Sequence, residues 1–174
     1  RFFKKGLRGL NIDLNPLTID LFNYARPSDI NVCAAVSNKK TKKKLYFLGD
    51  LDSKNTIDLN HKNWVSKHFG IDKKDFKLKN IQTTTLSQIL QKNKFFNIDF
   101  LNIDIEGNEL NVLKSINFKY FDIGVICVEI INYKSFHKKL KTDKNKIFNL
   151  LKKNNYSLKF RSAVNYVFVK NIRL

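Results

Sequence analysis

The segment FLNIDIEGNEL, residues 100–110, is an apolar run that stops on Asp104 and Glu106, turns at Gly107 and continues with helical spacing. A strand buried on both faces reads as a nearly continuous apolar run. Such a strand gains no stability from ending in acids, which must be desolvated or paired. Glu106 alone has a structural reading, because an acid favours a helix N-terminus. Capping does not account for Asp104 as well, nor for Glu129, which ends the apolar run over 124–129.

Outward from this segment, strands and helices alternate. Residues 7–13 predict a short strand ending in Asp13, and Asn15-Pro16 opens a helix, with proline suited to its first turn. Residues 29–36 (DINVCAAV) predict a second strand that runs into Ser37. The lysine run over 39–44 reads as a solvated loop, and 45–48 as a short strand. A helix over 58–69 carries Trp64 and stops at Gly70. Residues 76–82 alternate like a half-exposed strand, and Thr84-Thr85 caps a helix over 86–90. Buried strands over 98–104 and 124–129 follow, with helices over 108–115 and 142–154. Two short strands, 156–160 and 166–170, close the chain.

This alternation, with apolar central strands, predicts an α/β fold: a mainly parallel sheet covered by helices. The closing pair reads as antiparallel, and right-handed crossovers give a three-layer sandwich. No linker or repeat divides the 174 residues, so one domain over 1–174 is expected.

Composition narrows the function classes. With 43% apolar and 13% aromatic residues the chain is globular, and no apolar run approaches a membrane span. Cys33 and Cys127 lie in apolar runs and read as buried structural thiols. His61, His68 and His137 show no metal-ligand spacing. Without a disulfide framework, a reducing, cytoplasmic compartment is expected. The net charge of +18 raises nucleic acid or an anionic surface as partners. The excess is nearly all lysine, however, whereas bidentate recognition of phosphates and bases favours arginine. Enrichment in Lys, Asn and Ile together fits compositional drift, so no specific nucleic-acid partner is expected.

In open parallel sheets, ligands bind beyond the carboxyl ends of the strands. Asp13, Asp104 and Glu129 all fall there, carried by three separate strands. A carboxylate at such an edge accepts hydrogen bonds from ribose hydroxyls in nucleotide-binding folds, and Asp13 is placed for that. Its alternative is a turn-and-cap role with Asn15-Pro16.

The blocks KKGLRGLNIDLNP (4–16), DINVCAAVS (29–37), TTTLSQIL (83–90), IDFLNIDIEGNELNVLKSINF (98–118), VICVEI (125–130) and VNYVFVK (164–170) resemble the FkbM family of S-adenosylmethionine-dependent methyltransferases. The resemblance covers nearly the whole chain. It implies a Rossmann-like domain that transfers a methyl group to a hydroxyl oxygen of a sugar, glycan or natural product. It further implies that Asp13, with Asn15 beside it, holds the cofactor ribose and that Ala35 and Ser37 border the adenine. By the same resemblance, Asp104 and Glu129 lie beside the reacting methyl group. In related O-methyltransferases acids at these two strand ends bind a divalent metal such as magnesium. The family's first strand and glycine-rich turn have no counterpart here, and Gly6 and Gly9 precede a strand instead of following one. An N-terminally truncated domain is therefore expected, its missing strand lying between those ending at Asp13 and Asp104.

The chemistry is alignment of donor and acceptor, plus removal of the hydroxyl proton. Asp104, Glu106 or Glu129 would accept that proton as general base, or a metal on Asp104 and Glu129 would acidify the hydroxyl. Acceptor contacts are expected in the segments 51–70 and 131–142, with Trp64, Asn132 and Tyr133 as candidates. Two other readings remain open: a metal-dependent nucleotide-sugar glycosyltransferase using Asp50 and Asp52 after the strand over 45–48, and a basic, non-catalytic nucleic-acid-binding module. The oligomeric state is not encoded in any pattern found.

Overall fold

A computed structural model describes residues 5–131 and 143–171. In chain order the elements are β1 (Leu10–Asp13), α1 (Pro16–Ala25), β2 (Ile30–Cys33), β3 (Ala35–Val36), β4 (Lys42–Phe47), α2 (Leu59–His68), β5 (Lys77–Thr84), α3 (Leu86–Lys92), β6 (Asn97–Ile103), α4 (Glu109–Lys114), β7 (Asp122–Glu129), α5 (Lys144–Lys153), β8 (Tyr156–Ser162) and β9 (Asn165–Lys170). The α/β class expected from the alternation is the class observed, but the pairing is not mainly parallel: β1–β2, β3–β5 and β6–β7 are parallel, and β4–β5, β7–β9 and β8–β9 antiparallel. No helix among the described residues is long and apolar enough to cross a membrane.

The strands form three hydrogen-bonded groups. β1 pairs with β2 in parallel, β5 lies between β3 and β4, and the largest group runs β6-β7-β9-β8. In that group β6 and β7 are parallel, with Ile103 opposite Val128, while β9 runs antiparallel to both β7 and β8. The antiparallel closing pair is therefore as expected. Among the described residues, β1 and β6 are each paired along one edge only.

Each local signal has a visible cause. Asn15 Oδ1 accepts the Leu17 N–H at 3.0 Å and starts α1, with Pro16 in its first turn. Asp58 caps α2 by accepting the His61 N–H at 2.8 Å. Gly70, with φ +67°, follows the end of α2 in the left-handed region where glycine costs least. Thr85 and Gln88 form a reciprocal capping box on α3.

The core is built by β7 and the helices beside it. Ile123, Ile126 and Val128 are fully buried and cluster with Leu113 of α4, Leu151 of α5, Leu86 and Leu90 of α3, and Phe168 of β9. Tyr156 sends its hydroxyl to the Ile123 carbonyl at 2.6 Å, which satisfies the one polar atom it brings inside.

Four further expectations are corrected. The run over 29–36 is not one strand: β2 pairs with β1, whereas β3 pairs with β5, and the partner changes at Ala34. Lys42, Lys43 and Lys44 are not loop but the first half of β4, paired antiparallel to Gln82, Ile81 and Asn80. Long lysine stems tolerate this because the edge of a small sheet leaves their ammonium groups in water. The strand over 98–104 is not buried on both faces. Only Ile103 is fully inside, and Phe100 is 43% exposed, because β7 covers a single edge of β6. Finally, Cys33 is exposed and Cys127 half-buried, so neither is a core thiol. Cys33 ends β2 and points its Sγ toward the Leu14 carbonyl at 3.7 Å.

Candidate active site

Register places the two principal acids. Ile103 and Val128 are the last paired residues of β6 and β7, so Asp104 and Glu129 are the next pair across the same parallel edge. Glu106 joins them from the turn before α4. One carboxylate oxygen from each of Asp104, Glu106 and Glu129 lies within 4.8 Å of the others. The three residues singled out in the opening segment and in β7 are thus one cluster.

The turn that carries Glu106 is unusual and heavily tied. Glu106 adopts φ +58° and Gly107 φ +99°. A non-glycine residue in the left-handed region costs about 1 kcal/mol or more and persists only where its surroundings hold it. Glu109, nearly fully buried, reaches back with Oε1 to accept the N–H groups of Gly107 at 2.9 Å and Ile105 at 3.2 Å. Asn108, 2% exposed, donates to the Val36 carbonyl at 2.7 Å and accepts from Asn111, so β3 is bound to the same turn. Thr56 donates to the Glu106 carbonyl at 2.6 Å. The Nε2 of His61, a residue with no exposed surface, lies 2.9 Å from Glu106 Oε2.

Electrostatics in this corner run against the rest of the chain. Burial first, then the charges of Asp104, Glu106 and Glu109, push the Glu129 carboxyl up to about 8. Desolvation, followed by Glu106, also raises Asp104, although a hydrogen bond shared with Glu129 works the other way. Burial pushes Glu109 up to about 7 despite its two backbone donors. Asp58 is raised by burial too. Glu129 Oε2 is shielded from solvent without a hydrogen-bond partner among the described residues. A small cleft lined by Gly107, Glu109, Glu129, Ile130, Ile131, Asp143 and Ile147 opens beside it.

The other expected site residues fall as follows. Asp13 ends β1, and its Oδ1 accepts the Asn15 N–H at 2.8 Å. Its turn role is therefore real. Asn15 spends its side chain on the α1 cap. Ala35 is buried and Ser37 has no exposed surface, held through its N–H to the Thr84 carbonyl. Trp64 packs in a ring cluster, stacked on His68 at 5.0 Å and edge-on to Phe69 at 5.7 Å. Asn132 and Tyr133 lie outside the described residues. Asp52 is engaged by Lys54. Partial burial would raise its carboxyl, but the Lys54 N–H at 2.9 Å and Nζ at 3.0 Å hold it below the usual range.

His61 is the residue that sequence reasoning missed. No spacing flags it, since its partner Glu106 is far along the chain. The available signal was weaker: a histidine three residues after a capping Asp58, on a helix face shared with Val65, which is also fully buried.

Comparison with known proteins bears on most of the chain. A family model described as the methyltransferase FkbM domain matches residues 1–158. Neither a curated protein nor a solved structure matches significantly.

Proposed function

The chain belongs to the FkbM methyltransferase family, and from that premise we propose that it moves a methyl group from S-adenosylmethionine to a hydroxyl oxygen of a sugar, glycan or natural-product acceptor. The observation that carries this reading is the convergence of Asp104, Glu106 and Glu129 at one strand edge, with Glu129 pushed up to about 8. A general base works best when its pKa lies near the working pH. Glu129, desolvated and crowded by like charges, has that character, whereas an ordinary exposed glutamate does not.

In this reading the acceptor hydroxyl enters through the cleft beside Glu129 and Gly107. Glu129 takes its proton, and Asp104, with a carboxylate oxygen within 4.8 Å, steadies the carboxyl that receives it. Methyl transfer is an in-line displacement, so the remaining contribution is alignment of donor and acceptor. The clamped turn at Glu106 supports that by fixing the floor of the site. S-adenosylmethionine supplies the electrophilic methyl group when bound.

The residues fit that cofactor at the ribose: Asp13 has one carboxylate oxygen engaged by Asn15 and another left for a diol, at the carboxyl edge of β1. They fit a hard divalent cation as well. Three carboxylates within 4.8 Å, one with a shielded and unpartnered oxygen, suit oxygen-seeking magnesium. Asp104, Glu106 and Glu129 would hold it, and there it would acidify the acceptor hydroxyl.

Calorimetric titration with S-adenosylhomocysteine, on the protein and on Asp13→Ala, tests the reading. Saturable binding that the substitution weakens tenfold or more is expected. A folded protein that binds no S-adenosylhomocysteine would overturn it.

A further inference from the structure

The connection between β4 and β5 reaches across to the acidic turn, and two of its buried residues meet there on a single partner. Thr56 is held in place by an antiparallel bridge to Tyr46, with N–H to carbonyl distances of 2.8 and 3.2 Å. Its hydroxyl donates to the Glu106 carbonyl at 2.6 Å and accepts the Asp58 N–H at 2.9 Å. Asp58 in turn caps α2 at the His61 N–H, and the His61 ring comes back to the Glu106 carboxylate at 2.9 Å. Thr56 and His61 are 1% and 0% exposed. One connection therefore grips both the backbone and the side chain of Glu106, the residue in the left-handed conformation.

We propose that Thr56 and His61 are positioning residues that hold Glu106 in its left-handed turn, with its carboxylate directed at Asp104 and Glu129. The proposal rests on the role given to those acids above. Its physical basis is that a strained non-glycine turn is kept only by contacts that overdetermine it. The contacts of Glu109 and Asn108 come from the turn's own helix and fix its N–H groups and its base. They leave the Glu106 carbonyl and carboxylate to Thr56 and His61. Without these two, the Glu106 peptide relaxes to a conformation with negative φ and its carboxylate leaves the cluster. α2 thereby helps to hold the acidic cluster in place.

The test uses Thr56→Val, Thr56→Ser, His61→Leu and His61→Gln in the whole protein. Amide hydrogen exchange is followed at Ile105 and Gly107, with Ile126 and Val128 as reference positions in the core. Thr56→Val and His61→Leu are expected to speed exchange at the turn tenfold or more while the core amides stay slow. Thr56→Ser and His61→Gln, which restore a donor, should return it toward wild type. In methyl transfer the same two damaging variants should lower kcat tenfold or more, with affinity for S-adenosylhomocysteine changed less than threefold. Adding Glu106→Gln to His61→Leu should then cost nothing further. Unchanged turn exchange in a folded His61→Leu variant overturns the proposal, as does multiplicative loss in the double variant. Wild-type protein that binds no S-adenosylhomocysteine overturns the functional reading instead, and the exchange data still decide the clamp.

Discussion

Asp104 and Glu129 occupy the first unpaired rung beyond the β6–β7 ladder, with one carboxylate oxygen of each within 4.8 Å of the other. Two carboxylates this close do not both ionise easily, so the pair retains a proton at a pH where isolated acids have lost theirs. That proton governs the chemistry proposed here. Glu129 is raised to about 8 by burial and then by Asp104, so at pH 7 it is mostly protonated, and it becomes a competent base as the pH rises through about 8. In metal-free protein, methyl transfer should increase with pH and level off above that value. Glu129→Gln should lower kcat about 100-fold or more. Asp104→Asn removes the nearest charge and should move the midpoint of the pH profile downward. A profile unchanged in Asp104→Asn would mean that the pair does not titrate as a unit.

Glu109 makes a separate prediction, on stability. Its folded value of about 7 stands above the ordinary 4.5, with burial as the main cause. A carboxyl raised in this way favours the folded state fully below its unfolded value, and that contribution is lost as pH rises through the folded value. The cost at pH 9 is on the order of 3 kcal/mol. Glu109→Gln retains an oxygen for the Ile105 and Gly107 N–H groups and carries no charge to desolvate. Urea denaturation should give nearly equal stabilities for the two proteins at pH 4.5. At pH 9 the variant should be the more stable one. Equal stabilities at both pH values would show that Glu109 is not buried as an acid.

Asn108 tests the link between β3 and the acidic turn. Its amide donates to the Val36 carbonyl and accepts from Asn111, at 2% exposure. Asn108→Ala leaves the half-buried Val36 carbonyl without its donor, a loss of roughly 1–3 kcal/mol. The midpoint of urea unfolding should fall accordingly, and amide exchange at Gly107 should quicken. A variant as stable as wild type would mean that water replaces the amide at no cost.

The sequence revealed what depends on local pattern. The apolar runs ending at Asp13, Asp104 and Glu129 located three strands and their carboxyl edge, and Asn15-Pro16, Asp58 and Thr85 marked helix starts that the structure keeps. What it concealed depends on partners. DINVCAAV is apolar at nearly every position after its start, so nothing in it marks the switch from β1 to β5 at Ala34. The lysines of β4 look like loop because alternation is invisible when both faces carry the same residue. β6 looked buried because its composition is apolar, whereas burial is set by how many neighbours cover it. His61 and Thr56 were unreadable for the same reason: their role exists only through Glu106, which folding alone brings beside them.

The junction of β6 and β7 offers a last prediction. Gly124 lies where a Cβ would stand 3.2 Å from the Asp99 carbonyl oxygen, with the Asp99 Cα at 3.9 Å. The neighbour is backbone held in the parallel ladder between Ile98–Ile123 and Phe100–Val125, so it does not yield as a flexible side chain would. Gly124→Ala therefore pushes β6 away from β7 at the strand pair that sets Asp104 opposite Glu129. The gain from restricting the unfolded chain, up to about 1 kcal/mol, is outweighed by overpacking, typically about 1–3 kcal/mol. Urea denaturation should show a net loss, and the pH midpoint of methyl transfer should shift downward as the two carboxyls separate. Gly124→Ala that unfolds like wild type and keeps the same pH midpoint would mean that β6 absorbs the methyl group along its uncovered edge, without disturbing the acids at its end.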